Sequence, residues 1–109
     1  MTVSQLAETL SLRILHLADG DRTVTGGYAG DLLSWVMGRA ESGDCWVTIM
    51  SNMNVAAVAQ LTDVACVVFS EGVRPDPATL EAAADHDINL LASDKPTFSL
   101  CGEIARLLE

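Results

Sequence analysis

The polar stretch at residues 21–30, DRTVTGGYAG, holds the residue types that most invite a chemical interpretation. An acid and a base stand side by side, two threonine hydroxyls follow, and a pair of adjacent glycines would let a backbone approach a ligand closely. A cationic side chain and free backbone N–H groups are what a small anion, such as a phosphate or a carboxylate, requires. The stretch could therefore form one wall of an anion site, but a tight turn or close backbone packing is the simpler explanation for the glycines themselves.

Known catalytic and cofactor-binding patterns are absent from the chain. Gly26, Gly27 and Gly30 do not have the spacing of GxGxxG, and the chain contains no GxxxxGK[ST], GxSxG or HExxH. His16 falls inside an apolar run, and the Asp-His-Asp triplet at residues 85–87 falls where a helix should end, so both are explained structurally. We therefore expect no enzymatic activity, no cofactor and no metal.

The elements that must position these residues follow from apolar runs and helical spacing. Compact apolar runs predict strands at residues 13–18, 45–50, 64–69 and 88–92. Amphipathic helices of about three turns are predicted between these strands, and a further helix is predicted at each terminus of the chain. A short extended piece is predicted near Val24. Strand–helix–strand alternation implies parallel pairing. We expect one domain over residues 1–109, a three-layer α/β/α sandwich with a mostly parallel sheet of four or five strands.

Ligands of such sheets collect at the carboxyl ends of the strands. The loops expected there are residues 19–30, 51–54, 70–76 and 93–97. They contain three of the six cations, Arg22, Arg74 and Lys95. The predicted ligand-binding residues are Asp21, Arg22, Thr25, Gly26, Gly27, Asn54 and Arg74. Helix caps and turns favour the same residue types, so a purely structural role is the open alternative.

Composition limits the possible partners. Six basic against 15 acidic residues give a formal charge of −9, which disfavours nucleic acid and anionic membranes. Half of the chain is apolar and the mean hydropathy is +0.30, which is high for a domain of 109 residues. Surplus apolar surface is usually buried between subunits, so we expect a homodimer, with Leu32, Trp35 and Val36 as interface candidates.

The cysteines and the terminal sequence indicate a cellular location. Cys45, Cys66 and Cys101 are odd in number and widely spaced, which does not match a disulfide framework. Reduced cysteines are typical of the cytoplasm, where we expect the protein. The N-terminal residues do not have the pattern of a signal peptide, and no apolar run approaches the ~20 residues of a membrane helix.

The stretch Asp21-Arg22-Thr23-Val24-Thr25-Gly26-Gly27 resembles the signature of the DRTGG domain. The resemblance spans nearly the whole chain and continues at Tyr28, residues 30–34, 36–37, 46–49, 54–59 and 61–65. The chain departs from the family pattern at residues 51–53, Ser-Asn-Met, where relatives tend to carry a His-Pro pair.

This resemblance implies an α/β/α fold similar to the N-terminal domain of HPr kinase. Such domains accompany CBS domains in regulated family II pyrophosphatases and also occur alone, as regulatory and dimerising parts. No catalytic residue is carried over, and the P-loop of a kinase is absent. We therefore expect a non-catalytic, dimeric regulatory domain that senses a small anionic metabolite or nucleotide. The alternative is a ligand-free module that dimerises or docks on a partner enzyme.

Overall fold

A five-stranded β-sheet forms the centre of the computed structural model, which describes residues 1–109. The strands are β1 (Arg13–His16), β2 (Gly26–Ala29), β3 (Asp44–Thr48), β4 (Cys66–Phe69) and β5 (Leu90–Ala92). The helices are α1 (Val3–Thr9), α2 (Leu33–Arg39), α3 (Asn54–Thr62), α4 (Pro77–Asp85) and α5 (Thr97–Leu107). The strand order is β1-β5-β4-β3-β2, with β2 to β5 parallel. The prediction of a mostly parallel sheet is confirmed.

The helices form a layer on each face of this sheet. One apolar core joins α1 and α5 to side chains such as Val47 and Val68, and a second joins α2, α3 and α4 to side chains such as Trp46 and Val67. Alternate residues of β3 and β4 point to opposite cores, which is why these strands are apolar at almost every position. The three-layer α/β/α sandwich is therefore confirmed.

Local capping signals explain where two of the helices begin. Thr2 and Gln5 form a reciprocal capping box at the start of α1, with N–H···O distances of 3.1 and 2.9 Å. Asp76 caps α4 by accepting from the Thr79 N–H at 2.9 Å, and Pro77 occupies the first helical position. Both starts agree with the sequence prediction.

Two features of the sheet differ from expectation. Strand β1 runs antiparallel to β5, pairing Arg13 with Ala92, so the start of β1 lies where the parallel strands end. The paired glycines Gly26 and Gly27 form the first half of β2 instead of a loop. A Cβ on Gly26 would lie 2.8 Å from Asp44 Oδ1, so close packing explains this glycine and a positive φ does not.

The two tryptophans have different environments. Trp46 is fully buried, and its Nε1–H donates to the Gly30 carbonyl at 2.9 Å. Trp35 on α2 is 51% exposed and Leu32 is 54% exposed, whereas Val36 is fully buried in the second core. The interface prediction is therefore wrong for Val36, because the inward face of α2 needs that side chain for the core.

No helix has the length and apolar character to cross a membrane, and the longest, α5, has 11 residues.

Candidate functional site

The DRTVTGG stretch lies at the amino end of the sheet. Because β1 is antiparallel, it ends beside the starts of the parallel strands. Residues 17–25 run from there to β2, which lies at the opposite edge of the sheet. We call residues 17–25 the amino-end strap. The expectation that this segment lies at the carboxyl ends of the strands is wrong, because it assumed that β1 was parallel.

Arg22 ties the amino-end strap to the turns before β3 and β4. Its Nη1 lies 3.1 Å from Asp63 Oδ1, and its Nη2 donates to the Asp63 carbonyl at 2.9 Å. Ser42 Oγ–H donates to the other carboxylate oxygen of Asp63 at 2.5 Å. The hydrogen bond from Arg22, followed by that from Ser42, lowers the pKa of Asp63. Arg22 therefore joins three segments of the chain.

Backbone bonds and a buried amide fix the rest of the amino-end strap. The Val3 N–H donates to the Arg22 carbonyl at 2.9 Å, and the Val24 N–H donates to the Met1 carbonyl at 2.8 Å. Asn89, which is buried, accepts from two strap N–H groups at 2.8 Å and donates to two carbonyls at 2.8 and 3.0 Å. These bonds hold the amino-end strap against the N-terminal segment and the start of β5, which is the pattern of a structural connection.

The seven predicted ligand-binding residues do not form one site. Five of them are at or near the amino end of the sheet, namely Asp21, Arg22, Thr25, Gly26 and Gly27. Asn54, at the first position of α3, and Arg74, between β4 and α4, lie at the carboxyl end. The two groups lie at opposite ends of the strands, so the structure does not bring the seven residues together.

Two clefts open at the carboxyl end of the sheet. The first, the Thr48 cleft, has a volume of about 370 Å³ and is lined by Ala29, Gly30, Asp31, Val47, Thr48, Ile49, Glu71 and Thr97. Its polar groups are largely engaged: Thr48 Oγ1 accepts from the Met50 N–H at 3.1 Å, and Glu71 Oε2 accepts from the Thr97 N–H at 2.6 Å. None of its lining residues is cationic, so it suits hydroxyl or amine groups better than a phosphate.

The second, the Arg13 cleft, has a volume of about 490 Å³ and is lined by Thr9, Leu10, Ser11, Arg13, Ala92, Ser93, Asp94, Lys95 and Glu103. Arg13 Nη2 lies 3.1 Å from Asp94 Oδ1, and Lys95 Nζ lies 2.7 Å from Glu103 Oε2. The hydrogen bond and charge of Arg13, with a smaller effect from Arg74, lower the pKa of Asp94. Three of the six cations are thus grouped around the end of β5.

Sequence reasoning missed Arg13 as a site residue. Its side chain reaches the carboxyl end of the sheet only because β1 runs backwards, and nothing in the sequence RILH states a strand direction. Lys95 was placed correctly at this end, and Arg74 lines a further 150 Å³ pocket that shares Ala92 with the Arg13 cleft.

The remaining polar candidates have structural partners. His16 Nδ1 lies 2.8 Å from the Ile88 carbonyl, and His86 Nδ1 lies 2.8 Å from Gln60 Oε1 at the end of α4. The Asn54 N–H donates to Asn52 Oδ1 at 2.9 Å, so residues 52–54 form a local helix-start turn. No group of three His, Cys, Asp or Glu side chains is arranged to hold a metal ion.

Comparison with known proteins places the fold. No family model matches the chain, and no curated protein matches it. A solved structure with the same fold is that of the CBS and DRTGG domains of the regulatory region of Clostridium perfringens pyrophosphatase, in complex with its activator diadenosine tetraphosphate. The TM-score is 0.73 at 13% identity, and the match covers 95% of this chain.

The chain spans about half of that solved chain, of which the match covers 46%. The chain is therefore an α/β/α domain, and its fold is also found within the regulatory region of an enzyme.

Proposed function

We propose that the chain is a DRTGG-like, non-catalytic regulatory domain that senses a small anionic metabolite or nucleotide at the carboxyl end of its sheet. Two things support a regulatory role: the DRTVTGG stretch, and the likeness to a regulatory region that was solved with a nucleotide activator. The same stretch builds the connection across the amino end, which explains its residues without giving them a ligand.

The observation that carries the proposal is the position of the cations. In a chain of charge −9, Arg13, Arg74 and Lys95 gather around the end of β5, beside the larger of the two carboxyl-end clefts. Arg13 and Lys95 are each paired with a carboxylate of the same cleft, Asp94 and Glu103, so the support comes from the groups themselves: a guanidinium binds phosphate and carboxylate directly once its internal partner moves aside. The ligand is still expected at the carboxyl end of the sheet. Its cationic contacts are now assigned to Arg13 and Lys95 and no longer to Arg22.

A thermal-shift screen against adenine nucleotides, dinucleotides and acyl phosphates tests this function. A ligand present at a hundred times its dissociation constant stabilises the native state by about 2.7 kcal/mol. For a domain of this size, that free energy raises the melting temperature by about 10 °C. The shift should persist in Arg22→Gln, since Arg22 lies at the opposite end of the sheet. No shift with any ligand of the panel would contradict the sensing function.

One observation favours the alternative, a ligand-free module that dimerises or docks on a partner enzyme. Leu32 and Trp35 are large apolar side chains and both are about half exposed. They belong to the segment directly after β2, the outermost parallel strand, whose outer side has no neighbouring strand. Half-exposed aromatic and aliphatic residues beside an open strand are a common composition for an interface core.

A further inference from the structure

The guanidinium of Arg13 is only partly used. Asp94 Oδ1 accepts one hydrogen bond, from Nη2 at 3.1 Å. Nε lies on the same edge of the guanidinium as Nη2, and together they form the fork that binds two oxygens of one carboxylate or phosphate. Arg13 Nε is the one buried side-chain nitrogen or oxygen in the chain that has no hydrogen-bond partner. The fork is therefore half filled, and a buried donor without a partner is unfavourable.

Asp94 is bound loosely enough to leave. Its side chain is 71% exposed, and it lies two residues after β5, in the loop to α5. Exposed ion pairs contribute little to stability, because water and salt screen them. Arg13 and Arg74 hold its pKa low, so the group stays ionised at neutral pH and remains an anion beside two cations. An exchange with another anion thus keeps the local charge balance.

We propose that Arg13 is the anchor for the oxyanion group of the ligand, and that the Asp94 carboxylate occupies this anchor in the free protein and is displaced when the ligand binds. The inference rests on the proposed function and assigns the ligand's phosphate or carboxylate group to one side chain. Asp94 makes a single bond to Nη2. Once it moves aside and exposes the buried Nε, a phosphate or carboxylate with two free oxygens can fill both nitrogens.

The displacement has a direct route to the other cleft. The Ser93 and Lys95 carbonyls, which flank Asp94, accept from the Gly72 and Glu71 N–H groups at 3.1 and 2.9 Å. Glu71 is itself a wall of the Thr48 cleft. A backbone shift of residues 93–95 on displacement of Asp94 would therefore be transmitted to the segment between β4 and α4, and the backbone amides of Glu71 and Gly72 report whether it occurs.

Inorganic phosphate is a sufficient probe of this anchor. We would titrate it into ¹⁵N-labelled protein at constant ionic strength and follow the Arg13 Nε–H signal and the backbone amides of residues 93–95. Asp94→Asn should bind phosphate about three- to fivefold more tightly, because the internal competitor is gone. Arg13→Lys keeps the charge but loses the fork. The double variant Arg13→Lys/Asp94→Asn should therefore bind phosphate at least tenfold more weakly than Asp94→Asn alone.

One variant controls for net charge. Asp85→Asn at the end of α4 changes the charge by the same amount as Asp94→Asn, but at the amino end of the sheet. It should bind phosphate as the unaltered protein does, and Arg13→Lys leaves the net charge unchanged. A melting curve by circular dichroism confirms that each variant is folded, and Asp94→Asn keeps the test valid if the Arg13 variants do not fold.

The inference is overturned if Asp94→Asn gains no more affinity than Asp85→Asn, or if the Arg13 Nε–H signal does not move in a protein that binds phosphate. A gain in Asp31→Asn instead would place the phosphate in the Thr48 cleft and overturn it equally. A nucleotide that stabilises the protein with and without Arg13→Lys would leave the sensing function standing and remove only this anchor. If phosphate binds at Arg13 but no metabolite of the panel stabilises the protein, the anchor stands and the sensing function is contradicted.

Discussion

At the scale of single residues, Arg22 and Arg13 have the same chemistry but opposite surroundings. Arg22 donates to the carboxylate and the carbonyl of Asp63 and has its donors directed at the chain itself. Arg13 makes one hydrogen bond and keeps a buried nitrogen unpaired. The first arrangement is typical of a structural tie, and the second leaves capacity for a ligand. A sequence motif alone could not have distinguished the two arginines.

Arg22→Gln should lower stability without affecting ligand binding. The change removes charge-assisted hydrogen bonds that hold the amino-end strap, and with the partial exposure of the pair the expected cost is about 1 kcal/mol. Urea denaturation measures it, with Arg106→Gln, an exposed arginine in the last turn of α5, as the control. An unchanged midpoint would show that the strap is held by its backbone bonds and Asn89 alone.

The same pair predicts a dependence on pH. The pKa of Asp63 is lowered in the folded protein from an ordinary value of 3.8, so its contribution to stability is present above that value. The contribution is lost as the pH falls through the lower, folded pKa, when the carboxylate is protonated. The stability difference between the unaltered protein and Arg22→Gln should therefore narrow below about pH 3.8. Melting curves between pH 2 and pH 7 test this, and a difference that stays constant to the lowest pH at which the protein is folded would contradict it.

At the scale of elements, β2 shows why paired glycines are ambiguous in a sequence. The residues GGYA lack the β-branched side chains that usually mark a strand, so the local pattern predicts a loop there. Their strand conformation comes from pairing with β3, with Gly27 opposite Cys45 and Tyr28 opposite Trp46. Long-range pairing of this kind is invisible to local patterns, whereas the near-continuous apolar runs of β3 and β4 were unambiguous.

Glycine substitutions should separate packing from backbone freedom. Gly26→Ala places a Cβ 2.8 Å from Asp44 Oδ1, and the other carboxylate oxygen of this buried Asp44 already accepts from the Glu41 N–H. We expect a loss of about 1–3 kcal/mol. Gly102→Ala in α5 meets no atom within 4 Å and should stabilise the protein by about 0.5–1 kcal/mol. Urea denaturation measures both, and a neutral Gly26→Ala would mean that Asp44 moves freely.

At the scale of the whole molecule, the limits of prediction follow from what fixes each feature. The layers, the mostly parallel sheet and four of its five strands follow from apolar patterns along the chain, whereas β2 does not. The direction of β1 depends only on its partner β5, which is 70 or more residues away. That single direction decides which end of the sheet the DRTVTGG stretch occupies. An otherwise correct fold therefore gave a divided ligand site, with two of seven residues at the carboxyl end.

The whole-molecule prediction concerns assembly through α2. If Leu32 and Trp35 form the centre of a dimer interface, Trp35→Glu should weaken association by at least 30-fold, since central aromatic residues typically contribute 2 kcal/mol or more. Sedimentation over a range of concentrations measures the dissociation constant. Leu61→Glu is the matched control, because Leu61 on α3 is 76% exposed and also apolar. A dimer that survives Trp35→Glu would place the interface elsewhere. If the unaltered protein stays monomeric at every concentration, the dimer prediction is wrong. The open side of β2 and the exposed face of α2 would then be candidates for binding a different protein.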